Sequence, residues 1–368
     1  MKTRILILAA VLLLPIAAAT QQKKKAKAET RAGAIPMIWV SRPTVSPDDM
    51  LYGNGSKEGA PAPFPDGTFH FEREEIKSTF AKIEVKDAHG HKFKVKFGNG
   101  GDSKSHSEVV NNRLLWAMGF CAREIYYVPS GMLDTFTPGD PKHPGRRSKM
   151  GGKLVKDANG RFHFSDVTFT AKEDNRDEKE WGYEDNNLPV SIAKSPQFTW
   201  LKIFDVLVGN WDTARKNHAI YYVKNKGGAM EAWYADKDVG TGYGTDHPGS
   251  GLLSKRPTRW KLNDYRKNRF VIWDKNRPNQ EVAETSIHFD FAVSGRMEHG
   301  KQVLDACSTV SKSDAKAFVE QVLNKIPEAA IREAFRTAGA SQAEIEGFTT
   351  ALLTRIQELR IASGASRS

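Results

Sequence analysis

The stretch VLVGNWDTARKNHAIYYVKN, residues 206–225, decides how this chain is read. The apolar run 203–208 stops at Gly209. A polar cluster follows, with Asn210, Asp212, Arg215, Lys216, Asn217 and His218, and then a strand-like run at 219–223. The spacing therefore predicts a helix, a tight polar loop and a strand. Within the loop an acid and an amide stand five residues apart, as D-x-x-x-x-N.

The flanks support this reading. Ser195-Pro196 is a helix start, so the apolar helix runs to about Leu207. After the 219–223 strand, Lys226-Gly227-Gly228 makes a turn, and MEAWYADKDVG (230–240) reads as a second strand ending in a D-x-G. Three amphipathic runs then close the chain, at 313–322, 327–337 and 341 to about 361, each with a plausible cap.

Upstream the pattern changes period. FAKIEVKDAHGHKFKVKF (80–97) alternates Ile83 and Val85 on one arm with Phe93, Val95 and Phe97 on the other, around a turn at 87–90. The opposite face of the second arm carries Lys92, Lys94 and Lys96. A glycine-rich loop, GNGGDSKSH (98–106), leads to SEVVNNRLLWAMGF (107–120), a helix with Glu108 in its first turn. REIYYVPSG (123–131) reads as a strand, and GGKLVKDANGRFHFSDVTFTA (151–171) as a hairpin turning at Asn159-Gly160. The charged segment KEDNRDEKEWGYEDNN (172–187) has no periodicity and marks a lobe boundary.

The N-terminus has the form of a leader. Lys2 and Arg4 precede the apolar run 5–16 and the small residues Ala17, Ala18 and Ala19. Residues 1–19 are expected to be a cleaved signal peptide, 20–45 a flexible basic tether, 46–190 a β-rich unit with one helix, and 191–368 a helical unit. No later run is long and apolar enough to span a bilayer, so an exported protein, periplasmic or extracellular, is expected. The two cysteines, Cys121 and Cys307, allow either one bridge or two buried thiols.

The net charge is +11, but Lys2, Arg4, Lys23, Lys24, Lys25, Lys27 and Arg31 belong to the leader and tether. Only KRPTRWKLNDYRKNR (255–269) approximates a basic, aromatic-bearing stripe, and it reads as a solvated surface loop. A nucleic-acid partner is not expected. G-x-S-x-G and H-E-x-x-H are absent, which disfavours hydrolase and zincin chemistry.

Five residues stand out by their settings: Lys96 near a strand end, Glu108 in the helix after it, Asp212 and Asn217 on the polar loop, and Asp238 at a strand end. Phosphoryl transfer needs such a set, because its catalysis is mostly charge neutralisation and in-line positioning. The loop and D-x-G resemble those of atypical protein-kinase-like proteins: HipA-type serine kinases, secretory-pathway casein kinases and phosphoinositide-kinase relatives. From about residue 50 to 360 the chain is also similar to a group of exported bacterial proteins, typical of Acidobacteria, that carry VKFG, SEVVxxRLLWAxGF, N-x-D-x4-N and DLG in this order. That group has no assigned activity.

The resemblance implies an α+β, two-lobed kinase-like fold with a small β-rich N-lobe and a mainly helical C-lobe. It implies that Lys96 contacts phosphate, Glu108 pairs with it, Asp212 is the catalytic base, and Asn217 and Asp238 are metal ligands. Mg2+ and ATP are the implied cofactors, with an unknown hydroxyl-bearing substrate. The chain departs from the pattern in lacking G-x-G-x-x-G, in having Asn210-Trp211-Asp212 for H-R-D, and in offering Asp236 as a competing carboxylate. Two alternatives stand beside an exported phosphotransferase. One is a catalytically inactive kinase-like scaffold binding a phosphorylated or acidic ligand or a partner protein. The other is an envelope protein whose five residues do not cluster.

Overall fold

The computed structural model describes residues 31, 33–55, 65, 67–77, 80–98, 104–172, 177–181, 183, 188–210, 212–213, 215–237, 239–244, 259–267, 271–272, 286–289 and 309–366. The expected signal peptide, Cys307, Trp211, Asp238 and most of the charged segment 172–187 lie outside these residues. Strands and helices both contribute, so the chain is α+β.

One sheet is built from β2 (Thr68–Glu74), β3 (Lys82–Lys86), β4 (Lys92–Phe97), β5 (Ile125–Leu133), β6 (Val155–Lys156) and β7 (Phe162–Ala171), in the order β4-β3-β2-β5-β7-β6. β4 also pairs with β7, so the sheet closes on itself. Its interior holds Ile83, Val85, Phe93, Val95, Phe97 and Phe169. Strand alternation sends Lys92, Lys94 and Lys96 to the other face. Both hairpins turn where the sequence predicts, with Gly90 and Gly160 at positive φ.

Between β4 and β5 lies helix α2 (Lys104–Ala117), after the short capped helix α1 (Pro47–Tyr52). α2 lies against β5 and β7, yet Val109, Val110, Leu114 and Leu115 enter a second, larger core. That core is shared with α4 (Pro196–Val208), α6 (Lys312–Gln321), α7 (Glu328–Thr337) and α8 (Gln342–Ser363); the one-turn helix α3 (Val190–Ala193) and α5 (Leu262–Lys267) flank it. Helix α2 is thus the element common to sheet and helices. A small sheet of β11 (Val271–Ile272), β12 (Ser286–Phe289) and β13 (Thr309–Ser311) precedes α6. No helix among the described residues is long and apolar enough to cross a membrane.

The remaining sheet runs β1-β10-β9-β8, with β8 (Asp177–Lys179), β9 (His218–Lys224) and β10 (Met230–Asp236) antiparallel and β1 (Ile35–Met37) parallel to β10. Two of these strands correct the sequence reading. β8 lies inside the charged segment. β1 lies inside the expected tether, whose later part is docked: Trp39 Nε1 donates to Met118 O at 2.6 Å, and Val45 is buried with its N–H on Lys325 O. The basic composition of 20–45 conceals the apolar anchors Ile38, Trp39 and Val45.

Candidate active site

Lys96 is the last but one residue of β4, and it is not solvated like its neighbours. Its Nζ lies 2.5 Å from Glu108 Oε2, with both side chains buried. α2 begins at Lys104, so Glu108 sits in the second turn rather than the first. This residue serves the pair instead of the helix dipole. The other oxygen, Glu108 Oε1, is buried without a hydrogen-bond partner among the described residues.

Two neighbours of Lys96 escaped the sequence reading. Lys82 on β3 stands directly opposite it in the ladder, and Thr168 on β7 stands opposite it on the other side. Burial first, and then the Lys96 charge, pull the Lys82 ammonium down to about 8. Thr168 is fully buried and its Oγ1 has no hydrogen-bond partner among the described residues. Like charges directly opposite in a sheet are unfavourable, and unpaired buried oxygens cost free energy. The Lys82 and Lys96 ammonium groups and the Thr168 hydroxyl are thus the groups here that could meet an anion, whereas the Glu108 carboxylate offsets the Lys96 charge. The hairpin turn held the signal for Lys82, since a turn at 87–90 fixes the register that faces it to Lys96.

The polar loop is held by a chain of hydrogen bonds. Gly209 ends α4 in the left-handed region at φ 72°, where a side chain would be strained. The Asn210 amide then donates to Asp205 Oδ1 at 2.9 Å and Asp236 Oδ2 at 3.0 Å, while its oxygen accepts the Thr241 hydroxyl. Thr241 Oγ1 accepts the Asp212 N–H at 3.3 Å, and Asn217 Nδ2 donates to the Asp212 carbonyl at 2.7 Å. The backbone of Asp212 is therefore fixed on both sides. Because the Asn217 Nδ2 is used in this bond, its Oδ1 is the atom left to face a cation.

Helix α2 ties the two groups together. Ser107 Oγ donates to Gly240 O at 3.0 Å, and Asn111 Nδ2 donates to Val239 O and Thr241 O at 2.8 and 3.1 Å. Lys96, Glu108, Asp212 and Asn217 thus belong to one bonded framework. Asp238 lies outside the described residues, between Lys237 and Val239, whose backbones both enter the framework. The competing carboxylate, Asp236, is buried and taken up by Asn210.

Asp205, His218 and Asp236 approach closely enough to suggest a metal site, with candidate ligand atoms within 4.8 Å of one another. The donor chemistry argues otherwise. The Asn210 amide points N–H groups into both carboxylates, and Tyr183 Oη donates to Asp205 Oδ2 at 2.7 Å. These donors occupy three of the four carboxylate oxygens, and the cluster's other candidate ligand atoms are Asp236 Oδ1 and the His218 ring nitrogens. Burial pushes the Asp205 carboxyl up to about 6, against the pull of hydrogen bonds from Tyr183, Asn210 and Asp236. His218 is a core residue packed against the rings of Trp181 and Tyr183. The cluster braces the loop from behind.

No family model matches the chain, and no curated protein matches it. Among solved structures it is similar to the Helicobacter pylori proinflammatory kinase CtkA, at 13% identity and a TM-score of 0.42, over 81% of this chain and 98% of that one. It is also similar to the Golgi casein kinase with Mn/ADP bound, at 11% identity and a TM-score of 0.34, over 81% of this chain and 72% of that one. TM-scores this low leave function to be argued from the residues of the site.

Proposed function

We propose that this chain is a two-lobed, kinase-like phosphotransferase that moves a phosphoryl group from a nucleoside triphosphate to a hydroxyl. The observation that carries the reading is the buried Lys96–Glu108 pair, joined through α2 to the strand end that holds the Asp212 loop. A buried ion pair adds little to stability by itself, which favours a role toward a ligand.

In this reading the Lys96 ammonium, with Lys82 beside it, contacts the phosphates, and Glu108 keeps Lys96 in place. Asp212 accepts the proton of the acceptor hydroxyl as that oxygen bonds to the γ-phosphorus. The bond to the bridging oxygen breaks and the nucleoside diphosphate leaves. Asn217 Oδ1 and the Asp238 carboxylate are hard oxygen donors that suit Mg2+, and the use of Asn217 Nδ2 on Asp212 supports that fit. When bound, the ion supplies neutralisation of phosphate charge. The leader-like residues 1–19 support an exported enzyme.

One observation favours a second reading, an inactive scaffold. The turn that would cover the phosphates gives its N–H groups away: Asp87 Oδ1 accepts from His89 N at 2.9 Å and His91 N at 2.8 Å. Transfer of labelled phosphate from ATP with Mg2+ to the protein itself or to a generic acceptor protein separates the two. Transfer lost in Asp212→Ala supports the enzyme; nucleotide binding without any transfer supports the scaffold.

A further inference from the structure

His106 lies in the first turn of α2, two residues before Glu108. Its side chain is largely buried, with 16% exposed. Four separate parts of the chain close on its ring. Trp260 stacks on it at 5.2 Å between ring centres and 27° between planes, and the Tyr127 ring of β5 lies 4.9 Å away at 40°. Nδ1 lies 2.5 Å from the carbonyl oxygen of Ala338, just past the end of α7. Nε2 lies 3.8 Å from Asp166 Oδ1 on β7. A carbonyl oxygen only accepts, so Nδ1 carries a hydrogen and donates it.

These partners are themselves fixed. Gly339, at φ 80°, lets Tyr127 pack on the turn after α7, where a Cβ would meet Tyr127 Cε1 at 2.1 Å. Asp166 stands at φ 55°, a left-handed conformation that a non-glycine residue keeps only where its surroundings hold it. Its side chain hydrogen-bonds the Tyr127 hydroxyl. Trp260 Nε1 donates to Glu344 Oε1 at 2.9 Å, in the first turn of α8, and the Trp260 N–H donates to Gly242 O at 3.0 Å. One imidazole therefore meets the closed sheet, the turn after α7 and a tryptophan held by the segment that follows Asp238.

We infer that His106 is a positioning residue for Glu108: its Nδ1–H bond to Ala338 pins the first turn of α2 and so sets where the Glu108 carboxylate meets Lys96. Consecutive helical turns are joined by i to i−4 hydrogen bonds, so a displaced first turn carries Glu108 with it. The pair it serves tolerates little displacement, because both side chains are buried and each would be left uncompensated. A packing role alone would need only a flat ring between Trp260 and Tyr127. The hydrogen bond and the stacking can be removed separately, which makes the two roles distinguishable.

Acylation of Lys96 in the folded protein, mapped by mass spectrometry, tests this without any activity. His106→Phe keeps a ring to stack but has no donor, and Lys96 is expected to react about ten-fold faster in it than in the native protein. His106→Gln, whose amide stands where Nε2 does, is a second loss variant and is expected to behave the same way. His106→Asn, whose Nδ2–H stands where Nδ1–H does, is expected to keep Lys96 protected. His163→Ala, which removes a half-exposed histidine of β7, is expected to change nothing. A kinetic arm rests on the phosphotransferase reading: the KM for ATP is expected to rise about ten-fold in His106→Phe, with kcat nearly unchanged, and to return in His106→Asn. Equal protection of Lys96 in His106→Phe and His106→Gln, or equal exposure in His106→Asn, would overturn the proposal. The expected acylation pattern in a protein that transfers no phosphate would uphold His106 as a positioning residue and overturn the phosphotransferase reading alone.

Discussion

Lys96 Nζ lies 2.5 Å from Glu108 Oε2, joining a strand of the closed sheet to the helix it shares with the helical core. Neither partner can be lost quietly, because the other would stay buried and uncompensated. Lys96→Met and Glu108→Leu are each expected to destabilise the fold by about 3–5 kcal/mol, whereas the double variant recovers much of that loss. Denaturant unfolding of the four proteins checks this. Additive losses would show that the two groups do not interact.

The Asn210 amide is spent on Asp205, Asp236 and Thr241. Asn210→Ala should therefore cost about 1–3 kcal/mol of stability through unsatisfied buried carboxylates. It should also lower kcat while leaving nucleotide affinity nearly unchanged, because Lys96 and Glu108 are untouched. Thr241→Val should share the kcat loss, since its hydroxyl holds the Asp212 N–H. A rise in KM for nucleotide with normal kcat would contradict the assignment.

Lys82 provides a pH signature. With its ammonium drawn down to about 8 by burial and then by Lys96, a bound polyphosphate would draw it up again. Nucleotide binding near pH 8 should therefore take up a proton, and affinity should fall as pH rises through this range. Calorimetry in buffers of different ionisation heat reads the proton directly. Uptake should vanish in Lys82→Ala; uptake that persists there would place the titrating group elsewhere.

Asp205 is shifted in the other direction, upward. Its carboxyl is raised to about 6, from an ordinary 3.8, by burial. The folded state then holds more protons than the unfolded one in between, so this contribution is full at low pH and lost as pH rises through about 6. Asp205→Asn is always neutral. Its stability deficit against the native protein should be larger at about pH 4 than at about pH 7. Thermal unfolding across that range checks it, and a constant deficit would contradict it.

Much of the local structure around the candidate site was legible because loops and turns write themselves locally. Gly209 announces the end of α4, and the turn at 87–90 sets which face Lys96 occupies. What the sequence concealed depended on tertiary partners. Lys96 looks like Lys92 and Lys94 until α2 arrives to bury it. Asp236 and Asp238 are indistinguishable until Asn210 claims the former. Glu108 looked like a first-turn residue because Ser103, Ser105 and Ser107 can each cap a helix, so the sequence offers several starts. Strands β1 and β8 were hidden for another reason. Each is short, lies within a charged segment, and is specified by the edge of the β9–β10 hairpin rather than by its own period.

In the proposed function, Lys96, Glu108 and the loop from Asn210 to Asn217 form one nucleotide site. Titration of the protein with ATP and Mg2+, by calorimetry, tests this most directly, alongside Lys96→Met and Asp238→Asn. Saturable binding in the native protein, abolished in Lys96→Met and made independent of Mg2+ in Asp238→Asn, is the expected result. Absence of binding by a folded native protein, or unchanged Mg2+-dependent binding in both variants, would contradict it.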